Sequence, residues 1–141
     1  MAQIVVGQTV GVTGSAAITV KESMQGASLY LDSVNAQGGV GGQKIELVVL
    51  DDKFDTKLTL ENARTLIEKH GAIALFMTRG TPHTQGIVPL LDEAGVVLVG
   101  PSTGAMALHK PVSRHVFNVR APYQLEVEKA ITHLNTLGVE R

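Results

Sequence analysis

Residues 72–84 read AIALFMTRGTPHT. An apolar run of strand length stops at Thr78, Gly80 breaks it, and Thr81-Pro82 opens the next segment with a hydroxyl at the cap position. The proline then falls in the first helical turn, where its missing N–H is not needed. Strand, then a Gly/Ser/Thr/Pro loop, then helix is the joint of a parallel α/β sheet. The same joint occurs at residues 10–17 (VGVTGSAA) and 100–107 (GPSTGAMA). A parallel sheet collects the carboxyl ends of its strands along one edge, so the three loops converge on a crevice lined by backbone N–H groups and small hydroxyls. Such a crevice is suited to holding a small polar molecule. No cluster of acids, bases or nucleophiles accompanies it.

Outward from these joints the periodicity alternates between strand and helix. Residues 4–10 read as the first strand and 23–37 as the first helix, because Met24, Ala27, Leu31 and Val34 share one face. A second strand at 44–50 runs into Asp51-Asp52. A helix over 56–70 follows, with Asp55 as N-cap, Gly71 just past its end, and Leu60, Ala63 and Ile67 as its buried stripe. The third strand, 72–77, is apolar throughout, as suits a central strand covered on both faces. Pro89 lies inside the next helix and is expected to kink it. Strands at 96–99 and 116–119 come next, and a last amphipathic helix carries Val127, Ala130, Ile131 and Leu134 before Gly138. The expected fold is α/β, a three-layer domain around a parallel sheet of five strands with right-handed crossovers.

Composition narrows the function. Twelve Lys and Arg are dispersed among thirteen Asp and Glu, which lacks the clustered basic surplus of a nucleic-acid binder. The apolar runs are far shorter than the roughly 20 residues that cross a bilayer, which points to a soluble domain. Absence of Cys excludes disulfides, thiolate metal sites and cysteine nucleophiles. Met1-Ala2-Gln3 lacks the features of a signal peptide, so a leader is either absent or already removed.

The candidate sites divide accordingly. Gly38 to Gly42 follows a helix and precedes a strand, the reverse of a phosphate loop, and reads as a flexible turn. Gly7, Gly11 and Gly14 lack dinucleotide spacing, so Asp51 and Asp52 read as strand-end caps rather than ribose ligands. The five His residues follow no metal pattern, and no metal or cofactor is expected. His83 alone falls in a first helical turn, where its ring would overlook the crevice. Arg79, just beyond the third strand, is suited to bidentate pairing with a carboxylate. Ser102, Thr103 and Gly104 follow the fourth strand, and two adjacent hydroxyl-rich loops point to one shared binding site.

The segments GQTVGVTGSAA (7–17), ESMQGASLYLDSVNAQGGVGGQKIELVVLDD (22–52), GTPHTQGIVPLLDEAGVVLVGPSTG (80–104) and HVFNVRAP (115–122) resemble, in order, the first lobe of one family. That family is the branched-chain amino-acid-binding (leucine/isoleucine/valine-type) group of periplasmic receptors for ABC transporters. The resemblance implies a type I two-lobed receptor in the periplasm that closes on its ligand, delivers it to a membrane permease and is not an enzyme. It implies that residues 1–121 are the N-terminal ligand-binding lobe and 122–141 the hinge and first helix of a second lobe that this chain lacks. By position, Thr81 matches a hydroxyl residue that contacts the ligand carboxylate, and Ser102 a residue whose backbone groups face the ligand. Gly104 stands where Thr is frequent, so a hydroxyl is lost there. Ser15 belongs to the near wall, and Tyr123, just past the hinge, either faces the cleft or covers exposed core. A cysteine pair of some relatives is replaced by Phe54 and Gly80.

The implied ligand is an amino acid or another small carboxylate. With half of the enclosure absent, the resemblance implies weak binding or none by this lobe alone. The stripe of Val127, Ile131 and Leu134 would then lack a cover, at roughly 2 kcal/mol per aliphatic side chain, which points to a homodimer through the C-terminal helix. Two other classes share the alternating pattern. One is a ligand-sensing regulatory domain; the other is a flavodoxin-like or receiver-like signalling domain, which needs an acceptor Asp at the end of the third strand, where Thr78-Arg79 stands.

Overall fold

The computed structural model describes residues 3–139. Met1, Ala2, Glu140 and Arg141, on which the expectations about the chain ends rest, lie outside the described residues. Five parallel strands, β1 (Ile4–Val10), β2 (Ile45–Asp51), β3 (Ala74–Phe76), β4 (Val97–Val99) and β5 (Val116–Phe117), form one sheet in the order β2-β1-β3-β4-β5. The helices α1 (Ala17–Ala36), α2 (Thr56–Glu68) and α3 (Thr81–Ala94) make the crossovers, a 3-10 turn at Met106–Leu108 precedes β5, and α4 (Tyr123–Thr136) ends the order. The chain reverses direction across the sheet between β1 and β3. Such a reversal is where ligands settle in open α/β sheets.

The main core lies between the sheet and α2 and α3. Leu75, Leu98 and Val116 project from neighbouring strands onto Ala63 and Leu66 of α2 and Ile87, Leu90 and Leu91 of α3. Gly7 belongs to this face because a Cβ there would lie 2.9 Å from both Leu66 Cβ and Leu75 Cδ2. On the other face, α1 covers the β1–β2 side, where Val10, Ala16 and Val20 pack with Met24 and Val49. Beyond α1, Val99 and Phe117 of β4 and β5 are exposed. The centre of the sheet is thus covered fully on one face and partly on the other, and β3 keeps only Leu75 fully buried, with Ala74 and Phe76 half-buried.

Several boundaries differ from the expectation. The first helix starts at Ala17, six residues before Ser23, and has no side-chain cap. Ile18, Thr19 and Val20 are modest helix formers, but burial of Val20 against Val10 outweighs that preference. In α2 the Asp55 cap is present, its carboxylate accepting from Lys57 N–H at 2.8 Å and Leu58 N–H at 3.0 Å. Its fully buried residues are Thr59, Ala63 and Leu66, with Leu60 and Ile67 at the flanks. The stripe is displaced because Thr59 Oγ1 turns inward to donate to the buried Asp52 carboxylate at 3.0 Å. Pro89 lies inside α3 as expected, and β5 stops at Phe117, leaving Val119 exposed. Gly38 to Gly42 form a tight turn with Val40 and Gln43 bridged antiparallel, four of the five residues being glycines with positive φ.

Candidate functional site

The three glycine- and hydroxyl-rich loops emerge together at the carboxyl ends of β1, β3 and β4. The β1–α1 loop is tied to β2 through Asp51, whose carboxylate accepts from the Thr13 hydroxyl at 2.6 Å, Thr13 N–H at 3.1 Å and Lys53 N–H at 2.9 Å. The Thr13 hydroxyl first, with the two backbone donors, holds the Asp51 carboxyl below its ordinary range. Asp52 is buried and takes hydroxyls from Thr9 at 3.1 Å and Thr59 at 3.0 Å and the Phe54 N–H at 2.9 Å. Both acids act as the strand-end caps expected of them.

The β3–α3 and β4 loops are locked side by side. Ser102 N–H donates to Thr78 O at 2.7 Å, which makes a parallel bridge of Arg79 and Ser102 that extends the β3–β4 ladder. Thr78 is buried, and its hydroxyl pairs with that of Thr84 at 3.1 Å. This closes the position where a receiver-like domain needs an acceptor Asp.

At the rim of this ladder the Thr81 and Thr103 hydroxyls meet at 2.7 Å. Thr103 is fully buried; its Oγ1 accepts from Ala105 N–H at 3.2 Å and pairs with the Tyr123 hydroxyl, also at 3.2 Å. Gly80, with φ of 94°, is the true N-cap of α3. Thr81 is therefore the first helical residue, and its hydroxyl, expected to cap the helix, is turned to Thr103 instead. Pro82 has no N–H, and the Thr81 and His83 amides have no acceptor among the described residues. Those free amides at the positive end of a helix favour an anion.

The eight candidate residues thus separate. Thr81, Thr103, Gly104 and Tyr123 come together in one cluster, with Ser102 and Arg79 adjoining it through the backbone bridge. Arg79 is half-buried and forms no salt bridge among the described residues. Ser102 does not offer its amide, which Thr78 already takes, so only its carbonyl and hydroxyl remain. Ser15 is exposed on the β1–α1 loop and forms no hydrogen bond with the cluster. His83 does not overlook the crevice. It is only 5% exposed and stacks on Phe54 with ring centroids 4.3 Å apart, because glycine at position 80 leaves room for the imidazole, whose Nδ1 lies 2.6 Å from where a Cβ would be. The Phe54–His83 stack joins the β2–α2 loop to the first turn of α3 beside Gly80, and Phe54 and Gly80 are the two places the resemblance assigned to a cysteine pair.

Gly104 has a reason other than a lost hydroxyl. A Cβ there would lie 2.6 Å from Ala121 O and 2.9 Å from Tyr123 Cδ1, so only glycine admits the chain that leads into α4. Tyr123 N–H donates to Gly104 O at 2.8 Å, and Arg120 stacks 4.9 Å from the Tyr123 ring centroid. The Thr103 hydroxyl, then the Gly104 backbone, set the Tyr123 phenol below its ordinary range. Sequence reasoning missed Arg120 and the packing role of Gly104; the signal for both was the Arg-Ala-Pro-Tyr run at residues 120–123, which fixes an extended chain before a helix. Among the described residues no group of His, Asp and Glu is placed to hold a metal ion, and no helix is long and apolar enough to cross a membrane. The cluster offers hydroxyl and amide donors, with Arg79 adjoining through the backbone bridge and Arg120, paired with Glu126, against Tyr123.

Comparison with known proteins identifies the family and the fold. The model of a family described as periplasmic binding protein matches residues 3–141. An amino acid binding protein of Pseudomonas aeruginosa is 31% identical over 103 residues, covering 73% of this chain and 28% of that protein. A Leu/Ile/Val-binding protein homolog of Brucella abortus is 31% identical over 96 residues, covering 68% and 24%. Among solved structures, a substrate-binding periplasmic protein from Ralstonia solanacearum superposes with a TM-score of 0.89 at 37% identity, covering 97% of this chain and 39% of that one. The branched-chain amino acid transporter substrate binding protein LivJ of Streptococcus pneumoniae, solved with isoleucine, gives 0.79 at 27% identity, covering 86% and 34%. The chain spans about a quarter of the length of the curated relatives it matches.

Proposed function

Because this chain belongs to the periplasmic binding protein family, we propose that it is the N-terminal lobe of a two-lobed receptor that passes an amino acid or similar small carboxylate to an ABC transporter permease. In this reading residues 1–121 form the lobe and 122–141 the hinge and first helix of a second lobe, and the whole receptor works in the periplasm. The names of the relatives support an amino-acid ligand. The observation that carries the reading is the 2.7 Å contact between the Thr81 and Thr103 hydroxyls, beside the free first-turn amides of α3 and within the loop pair that holds Arg79. A carboxylate there gains charge-assisted hydrogen bonds, each roughly twice as strong as a neutral one. Nothing in the cluster pairs a nucleophile with a base, so the chemistry it supports is retention of a ligand and not its conversion.

Stabilisation by a ligand grows as RT ln(1 + [L]/Kd), so even a weak carboxylate ligand registers at millimolar concentration. The test is thermal unfolding of this chain against L-amino acids, their amides, small organic acids and nucleotides. Free carboxylates are expected to raise the Tm and the matching amides to leave it unchanged. A rise with nucleotides or inorganic phosphate alone overturns the reading.

A further inference from the structure

α4 is held almost entirely at its base. It has no buried residue, and Leu125, Val127, Ile131 and Leu134 are all exposed. Two hydrogen bonds join it to the β4 loop: Tyr123 N–H to Gly104 O, and the Tyr123 hydroxyl with Thr103 Oγ1. Arg120 pairs with both carboxylate oxygens of Glu126 in the first turn of the same helix, at 2.7 and 2.8 Å. It braces Tyr123 within its own segment and adds no tie to the sheet.

Thr103 Oγ1 is fully engaged. A hydroxyl oxygen has one proton and two lone pairs, and its three neighbours, Thr81, Tyr123 and Ala105 N–H, use all three. A carboxylate that takes the Thr103 proton must therefore displace a neighbour. Thr81 sits at 2.7 Å on the rigid first turn of α3, and the Ala105 amide is fixed in the same loop. Tyr123 is at 3.2 Å and 41% exposed, so its hydroxyl alone can turn to water at little cost.

We propose that the Tyr123 hydroxyl is a resident competitor for the ligand's place on Thr103, so that a carboxylate entering the site frees Tyr123 and loosens the base of α4. The proposal rests on the carboxylate reading of the site and adds its regulation. Linkage makes the effect reciprocal: whatever holds α4 in place opposes the ligand, and whatever releases it favours the ligand by the same factor.

Two measurements on this chain decide it, with Tyr123→Phe keeping the ring and removing only the hydroxyl. In the first, hydrogen exchange is followed without ligand. The Phe variant is expected to exchange the amides of Tyr123, Leu125 and Glu126 about twofold to tenfold faster than the original, with β1 and β3 unchanged. Equal protection in both overturns the tether. In the second, acetate is titrated against sodium chloride at matched ionic strength. Acetate is expected to bring the original chain to the exchange rate of the variant, and to bind the variant about twofold to tenfold more tightly by chemical shift. Acetate binding of equal or lower affinity in the variant overturns the competition while leaving the carboxylate site intact. Acetate that perturbs neither chain at Thr81 and Thr103 overturns the carboxylate reading itself, and the competition with it.

Discussion

Thr103 is the residue on which the site's order depends, and a double-mutant cycle with Thr81 measures that dependence without any ligand. Thr103→Val keeps the volume of a fully buried side chain but removes an oxygen engaged with Thr81 at 2.7 Å, Tyr123 at 3.2 Å and Ala105 N–H at 3.2 Å. Tyr123 regains water at the rim, whereas the Thr81 hydroxyl and the Ala105 amide are partly buried, so the loss is about 1–3 kcal/mol. Thr81→Val removes one neutral hydrogen bond and is expected to cost about 1 kcal/mol. Once Thr103 is valine, the second substitution has no bond left to break. The pair is therefore non-additive, with a coupling energy of about 1 kcal/mol. Urea unfolding monitored by far-ultraviolet circular dichroism gives all four stabilities, and Thr103→Ser, which keeps the hydroxyl, serves as the control. Losses that add to within about 0.3 kcal/mol would show that the 2.7 Å contact does not organise these loops.

Three further outcomes follow from other parts of the molecule. Asp51 has a folded-state pKa below its unfolded value, so its contribution is fully present at neutral pH and is lost as pH falls through the folded pKa; Asp51→Asn should flatten the acid limb of a stability-versus-pH curve. Gly80→Ala puts a Cβ 2.6 Å from His83 Nδ1 at φ of 94°, and a loss of about 1–3 kcal/mol is expected in urea unfolding. We propose that the exposed α4 stripe pairs with a second copy of the chain. Ile131→Glu should convert a dimer to a monomer in multi-angle light scattering, and an original chain that is monomeric at high concentration refutes that proposal.

What was legible in the sequence is what local chemistry dictates. The Asp55 cap, the alternation, the strand-end loops and the convergence of the two hydroxyl-rich loops that carry Thr81 and Thr103 all follow from residue type and spacing, and each is present. What was not legible depends on partners far along the chain. The α1 start needed Val10 to bury Val20, the rotation of α2 needed Asp52 to draw Thr59 inward, and the withdrawal of His83 needed Phe54 to cover it. In the sequence Gly104 shows only a missing hydroxyl, because the segment that crowds it, Ala121 to Tyr123, lies seventeen or more positions away. Of the backbone groups that the resemblance turns toward the ligand at Ser102, the extended β3–β4 ladder consumes the amide, and strand register depends on the partner strand rather than on single residues.

These corrections give the site an asymmetry that the residue pattern alone did not suggest. Its fixed part comes from β3, α3 and the β4 loop, which are bound to one another by the Ser102 amide, the Thr78–Thr84 pair and the main core beneath them. Its movable part is a single side chain, Tyr123, delivered by a helix with no buried residue. Stability is unevenly distributed in such an arrangement: opening α4 costs two hydrogen bonds, whereas opening the β3–β4 edge disrupts the core. A ligand's binding energy is therefore spent least against the fold where it acts on Tyr123. Substitutions in the main core should change stability with little effect on the exchange of the α4 base, and substitutions at Gly104 and Tyr123 should do the reverse.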